Sequence, residues 1–195
     1  MTPYHPFVSS LSRLCADAGR LPLGGFPRSP PPGLAANVPR VLIFSPHPDD
    51  ECIIGGLALR LMREANMRVV NVAVTQGSNP ARQTERWTEL KAACDYLGFD
   101  LLATATGGLT KVTANARAQE SGHWARSVGI IAGILSQQQP RAIFFPHDRD
   151  WNGTHIGTHH LVVDALKKLP PTFECYTVVT EFCAAWRKHD VDVLM

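Results

Sequence analysis

Val41-Leu42-Ile43-Phe44-Ser45-Pro46-His47-Pro48-Asp49-Asp50-Glu51 is the stretch on which the fold turns. Its first four residues are apolar and suited to a pleated surface, which makes them a buried strand. The residues that follow pack one imidazole and three carboxylates directly past the strand's end. Unpaired acids beside a histidine repel one another and lose hydration when buried, so the cluster makes physical sense only with a bound cation or in full contact with water. The apolar neighbours argue against full exposure.

Working outward, Glu51 to Asn66 reads as a helix with Leu57, Leu61 and Met62 on one face, and Arg68 to Val74 as a second strand. That is a βαβ unit. A loop with Gly77, Ser78 and Pro80 leads into a helix from Ala81 to Leu97, which Gly98 terminates. A short strand is expected over Leu101 to Thr104, a long helix over Ala116 to Gln138, and a strand over Arg141 to Phe145. The last elements are a helix from His159 to Leu169, stopped by Pro170-Pro171, and a strand from Phe173 to Phe182. Such alternation predicts a mostly parallel α/β sheet with helices on both faces, because parallel strands need crossover helices. Ligands in these sheets bind beyond the carboxyl ends of the strands, where the strand order reverses.

The chain has 195 residues, 45% of them hydrophobic, enough for one domain with one core. Residues 1–38 read as an irregular arm, because Pro3, Pro6, Pro22, Pro27 and Pro30-Pro31-Pro32 leave room for at most a short helix around Ser9 to Ala18. Residues 39–195 form the domain. The net charge is +2 with Lys and Arg scattered, so there is no electrostatic footprint for nucleic acid. No apolar run is long enough to span a membrane and no leader precedes the arm, so a cytoplasmic protein is expected. Five widely spaced cysteines without a CxxC fit reduced thiols. A dinucleotide site is excluded: no G-x-G-x-x-G follows the first strand, and Gly55-Gly56 lies inside a helix. An apolar edge strand near the C-terminus leaves pairing into a homo-oligomer open.

A second cluster follows the strand that ends at Phe145: His147, Asp148, Asp150, His155, His159 and His160. Two ligand-rich strand exits point to one metal centre. His47 and Asp50, three apart at a helix start, face the same point. A third ligand from the later cluster completes a His, Asp, His set with a position left for water, as in catalytic zinc sites. His159 is the expected third ligand because it opens a helix and its backbone is fixed. His155, in a Gly-rich loop, is then left to approach a substrate oxygen. Zinc lowers the pKa of water to about 7, Asp49 is placed to take the proton, and the metal with His155 stabilises the oxyanion of an attacked amide. Asp150 is weighed as a loop brace or as a partner to a ligand histidine. Trp151, beside the histidine loop, is the aromatic best placed to stack on a sugar.

Three features, the PHPDDE segment Pro46 to Glu51, the helix carrying Arg86, Glu89 and Leu97-Gly98, and the late histidine pair, resemble the PIG-L/LmbE-like de-N-acetylases. The resemblance runs over residues 40–182. It implies a Rossmann-like fold, metal ligation by His47, Asp50 and His159, Asp49 as general base, a polarising or acid role for His155, and substrate contact by Arg86. It also implies zinc, with Fe2+ or Mn2+ as alternatives, and an N-acetylglucosamine-type sugar or glycoconjugate as substrate. The chain departs from the family pattern in two places. Where the family has His-x-Asp-His, it reads His155-Ile156-Gly157-Thr158-His159, and it ends at Met195, where the family continues. Two other readings stand beside the deacetylase: a non-catalytic metal or sugar-binding protein, and a non-haem iron enzyme built on a two-histidine, one-carboxylate set.

Overall fold

The computed structural model describes residues 4–21 and 30–180. Five strands, β1 (Arg40–Ser45), β2 (Arg68–Ala73), β3 (Asp100–Ala103), β4 (Ala142–Pro146) and β5 (Tyr176–Thr180), pair in parallel throughout in the order β3-β2-β1-β4-β5. Helices α2 (Asp50–Glu64), α3 (Gln83–Leu97), α4 (Ala114–Gln119), α5 (Ser121–Gln138) and α6 (Gly153–Leu166) complete the domain, and α1 (His5–Ala18) precedes it.

The central strands β1 and β4 are buried almost without interruption, as expected of parallel strands covered on both faces. Side chains alternate between two cores. Leu42 and Phe44 face α5 and α6, packing with Val128, Ile131, Leu135 and Leu161. Val41 and Ile43 face α2 and α3, packing with Ala58, Met62, Leu90 and Cys94. Strand order reverses between β1 and β4, since β1 connects outward to β2 and β4 connects outward to β5. That opens a crevice above the carboxyl ends of these two strands.

Several boundaries differ from those read in the sequence, each for a local reason. Helix α1 begins at His5, before the expected Ser9, because Pro6 sits in its first turn, where a missing N–H costs nothing. Residues Pro80–Arg82 form a separate 3-10 turn before α3, capped by Asn79. Gly98 ends α3 in the left-handed conformation, as expected. The long helix expected over Ala116 to Gln138 is two helices, broken at Glu120, whose backbone (φ −115°, ψ 56°) leaves the helical region. Helix α6 begins at Gly153, six residues before the expected His159. The strand expected to reach Phe182 runs Tyr176–Thr180, and its last expected positions lie outside the described residues, as does the C-terminal segment ending at Met195.

The early start of α6 governs the site. Asn152 caps it, its side-chain oxygen accepting the Thr154 N–H at 2.8 Å. Gly153 and Gly157 make the segment look like a loop in sequence, since glycine weakens helices. Gly157 is required for packing: a Cβ there would collide with the Val112 carbonyl. The helix therefore lies against the Val112–Thr113 backbone as only a glycine allows.

Candidate functional site

The turn after β1 is built by its own carboxylates. The His47 N–H donates to Asp50 Oδ2 at 2.7 Å, and the Asp49 N–H donates to Glu51 Oε2 at 3.1 Å. Asp49, which precedes α2, has φ 126°, a strained conformation for a residue with a side chain, costing on the order of 1–3 kcal/mol. Its carboxylate is left mostly exposed to the crevice. From α3, Arg86 reaches across and donates from Nη2 to the Pro48 carbonyl at 2.9 Å, with the same nitrogen 3.6 Å from Asp49 Oδ2. Gly77 leaves the space this guanidinium occupies.

The second half comes from the loop after β4 and the first turn of α6. His155 is buried, and its Nδ1 lies 3.0 Å from Oδ2 of Asp150, a carboxylate with no exposure at all. Asp150 therefore accepts a hydrogen bond from Nδ1–H and leaves Nε2 to face the crevice. There Nε2 lies 3.2 Å from His47 Nδ1 and 3.5 Å from Asp50 Oδ2, and His47 Nδ1 is itself 3.5 Å from Asp50 Oδ2. A tetrahedral ion with nitrogen and oxygen ligands at about 2.0–2.1 Å requires ligand–ligand edges of about 3.3–3.4 Å. The three atoms stand close to those separations, so the donor set fits a divalent metal in number, chemistry and spacing. Among the described residues it is the one group of three or more His, Cys, Asp or Glu side chains that meets this condition.

Protonation follows the same geometry. Burial raises the Asp50 pKa, but hydrogen bonds from His155 and His47 outweigh it and hold the carboxyl below its ordinary value. Burial lowers that of His155, and the bonds and charges of Asp50 and Asp150 more than restore it, leaving the imidazole above its ordinary value. Asp49 is pushed up by desolvation and by the neighbouring Asp50 charge. Glu51 is pushed up by burial, its carboxyl turned to the Asp49 N–H and the Cys52 thiol.

The sequence reading of His47, Asp50 and Asp49 brings together groups that lie around one crevice. Of the two late histidines, the structure brings His155 to this crevice and not His159. His159 lies one turn further along α6, where its Nδ1–H meets the Pro146 carbonyl at 2.8 Å and its ring packs on Phe145, alongside β4 instead of above its end. It is not one of the three convergent side chains, and His155 is. Helix polarity explains the difference in placement: α6 starts at the strand's carboxyl end and runs back beside the sheet, so its first turn reaches the crevice. Trp151 is 60% exposed, directly before Asn152. Asn152 and Thr154, which the sequence reading did not single out, line a cavity of about 640 Å³ with His47, Asp49, Arg86 and Lys111. The signal for Asn152 was present in the sequence, since Asn before Gly-Thr is a helix N-cap pattern. A second cavity of about 430 Å³ lies against Glu51, Cys52 and Glu89 and shares Asp49 and Arg86 as its wall with the first.

Residues 42–166 match the family model described as PIG-L, GlcNAc-PI de-N-acetylase. The chain belongs to this family. No curated protein matches this chain significantly. Its fold is similar to that of GalB, the 4-carboxy-2-hydroxymuconate hydratase from Pseudomonas putida KT2440, at 18% identity and TM-score 0.54, over 73% of this chain and 64% of that one. The conserved protein TT1542 from Thermus thermophilus matches at 24% identity and TM-score 0.48, over 71% and 62%. The N,N'-diacetylchitobiose deacetylase from Pyrococcus horikoshii matches at 17% identity and TM-score 0.48, over 86% and 61%. This chain thus spans under two thirds of the length of these solved structures.

Proposed function

We propose that this protein is a metal-dependent N-deacetylase that hydrolyses an N-acylated amine, with an N-acetylglucosamine-type sugar or glycoconjugate as substrate. Membership of a de-N-acetylase family supports the reaction class. The observation that carries it is the tetrahedral spacing of His47 Nδ1, Asp50 Oδ2 and His155 Nε2, the first of which lines a cavity of about 640 Å³. These three residues are the ligands we assign, His155 in place of the His159 expected from sequence. Zinc is the metal we favour for this donor set, which also accepts Fe2+ or Mn2+. When bound, the metal supplies Lewis acidity toward water and the acyl carbonyl.

The chain's own residues do the rest. Asp49, exposed at the cavity wall with its carboxyl pushed up, takes a proton from the attacking water and returns it to the nitrogen as the C–N bond breaks. Carboxylic acid and free amine leave, with every atom of water and amide accounted for. Arg86 holds the Asp49 turn through Pro48 and faces the same cavity, which suits contact with substrate oxygens. Exposed Trp151 suits stacking on a sugar face. A reducing compartment fits the four described cysteines, all unpaired, and we place the activity in the cytoplasm. Among the described residues no helix is long and apolar enough to cross a membrane.

The test is metal content of the purified chain together with amine release from N-acetylglucosamine and its glycosides. Near-stoichiometric metal with amine release is expected. Stoichiometric metal with no release from any N-acyl sugar would leave a binding protein, and absence of metal would remove the site assignment.

A further inference from the structure

His155 cannot hold a metal through Nε2 and also polarise a carbonyl, because its other nitrogen is committed to Asp150. The deacetylase reading therefore removes His155 as the donor to the oxyanion. Resting on that reading, we propose that the side-chain amide of Asn152 is this donor, a catalytic residue acting through Nδ2–H on the carbonyl oxygen of the substrate.

Three observations place it. Asn152 lines the 640 Å³ cavity together with His47 and Asp49. Its Oδ1 accepts the Thr154 N–H at 2.8 Å, which fixes which end of the amide is oxygen and leaves the two Nδ2 protons on the other side. No described residue takes up either proton. Its backbone is anchored as well: the Asn152 N–H donates to Asp150 Oδ1 at 2.9 Å, while Asp150 Oδ2 holds His155 Nδ1 at 3.0 Å. One buried carboxylate thus positions both the metal-facing imidazole and the amide three residues before it. A donor aimed in advance at developing negative charge stabilises the transition state with no reorganisation at the moment of reaction. A carboxamide carries no titratable proton, so this donor is present at every pH at which the protein is folded. Thr154, the neighbouring hydroxyl in the same cavity, is free to rotate and is the weaker choice.

Capping and catalysis are separable here, because Ser and Asp also cap helices while lacking the amide donor. The full chain is compared with Asn152→Ser, Asn152→Asp and Thr154→Val. The measurements are metal content, melting temperature, kcat and KM for an N-acetylglucosamine glycoside, and calorimetric affinity for glucosamine and for its methylphosphonamidate, a tetrahedral mimic of the attacked amide. Expected for both Asn152 variants are unchanged metal content and melting temperature, and kcat lower by about a hundredfold or more at KM within about threefold. Affinity for the phosphonamidate falls in parallel while that for glucosamine holds. Asn152→Ser with full metal and kcat within about fivefold of the parent would reduce Asn152 to a helix cap and overturn the proposal. So would loss of metal or folding in both Asn152 variants, or a loss of kcat confined to Thr154→Val. An inactive parent chain refutes the deacetylase reading itself, a result distinct from an active parent with an equally active Asn152→Ser.

Discussion

The site has two halves that reach one point by different means. After β1 the functional groups are neighbours in sequence, and the turn is stabilised by the same carboxylates that face the crevice. After β4 they are spread from Asp150 to His155, and their convergence depends on where α6 begins and on how closely it lies against Val112. A compact motif carries its geometry in its own residues. A dispersed one borrows geometry from packing, and where the helix starts decides which histidine reaches the crevice.

The sharpest test of that contrast removes one ligand from each half. Asp50→Ala and His155→Ala are each expected to abolish metal retention and to lower turnover by on the order of a thousandfold or more, since the metal supplies several kcal/mol of transition-state stabilisation. His159→Ala is expected to keep its metal and turnover within a fewfold, losing packing on Phe145 and the hydrogen bond to the Pro146 carbonyl. Elemental analysis of the three purified variants decides it: metal lost in His159→Ala and kept in His155→Ala would reverse the assignment.

If the second half depends on packing, a change remote from the metal should weaken it. Gly157→Ala drives a methyl group into the Val112 carbonyl, and about 3 kcal/mol of destabilisation is expected. That corresponds to a fall in melting temperature of about 6–12 °C, with weakened metal retention. Gly56→Ala, at an open helical position in the first half, should be neutral or stabilising. Equal melting curves for the two variants would erase the distinction.

Asp150→Asn probes the second half more finely. The amide keeps its size but no longer dictates which His155 nitrogen carries the proton, and metal affinity is expected to fall by about 10–100-fold with the fold intact. A competitive chelator titration measures it. Unchanged affinity would show that the buried carboxylate only braces the loop.

What was legible in the sequence follows the same division. Apolar runs marked β1, β2 and β4, because buried parallel strands read as continuous hydrophobic segments, whereas the edge strands β3 and β5 are largely uncovered and carry a weaker pattern. His47, Asp49 and Asp50 were legible because chemistry and turn residues coincide. The start of α6 was not, because Gly153 and Gly157 lower helix propensity while serving a close contact known only from the fold. Asp150 was weighed as a brace or a histidine partner, and nothing local distinguishes these, since its contact with His155 depends on a helix register. The break at Glu120 was invisible for a similar reason: α4 and α5 are continuous in pattern and separate only in backbone angles.

The smallest expected effect concerns what ties α6 to its neighbours. Arg117 of α4 makes two 2.8 Å bonds to the Asp164 carboxylate, and Trp124 of α5 donates Nε1–H to it at 3.0 Å. Partial burial would raise the Asp164 pKa, but these bonds outweigh it and hold the carboxyl below its ordinary value. A carboxyl whose pKa is lowered by folding contributes stability that is fully present above its unfolded value of about 4 and lost as pH falls through the lower folded value. Asp164→Asn should therefore cost about 1 kcal/mol at neutral pH, discounted for the half-exposed Arg117. The melting temperature should drop by about 2–4 °C, and metal content should be unaffected. The gap between parent and variant should close as the pH is lowered past about 4. A gap that persists or widens there would mean that the carboxylate's charge is not what ties these helices, and that packing alone positions the first turn of α6.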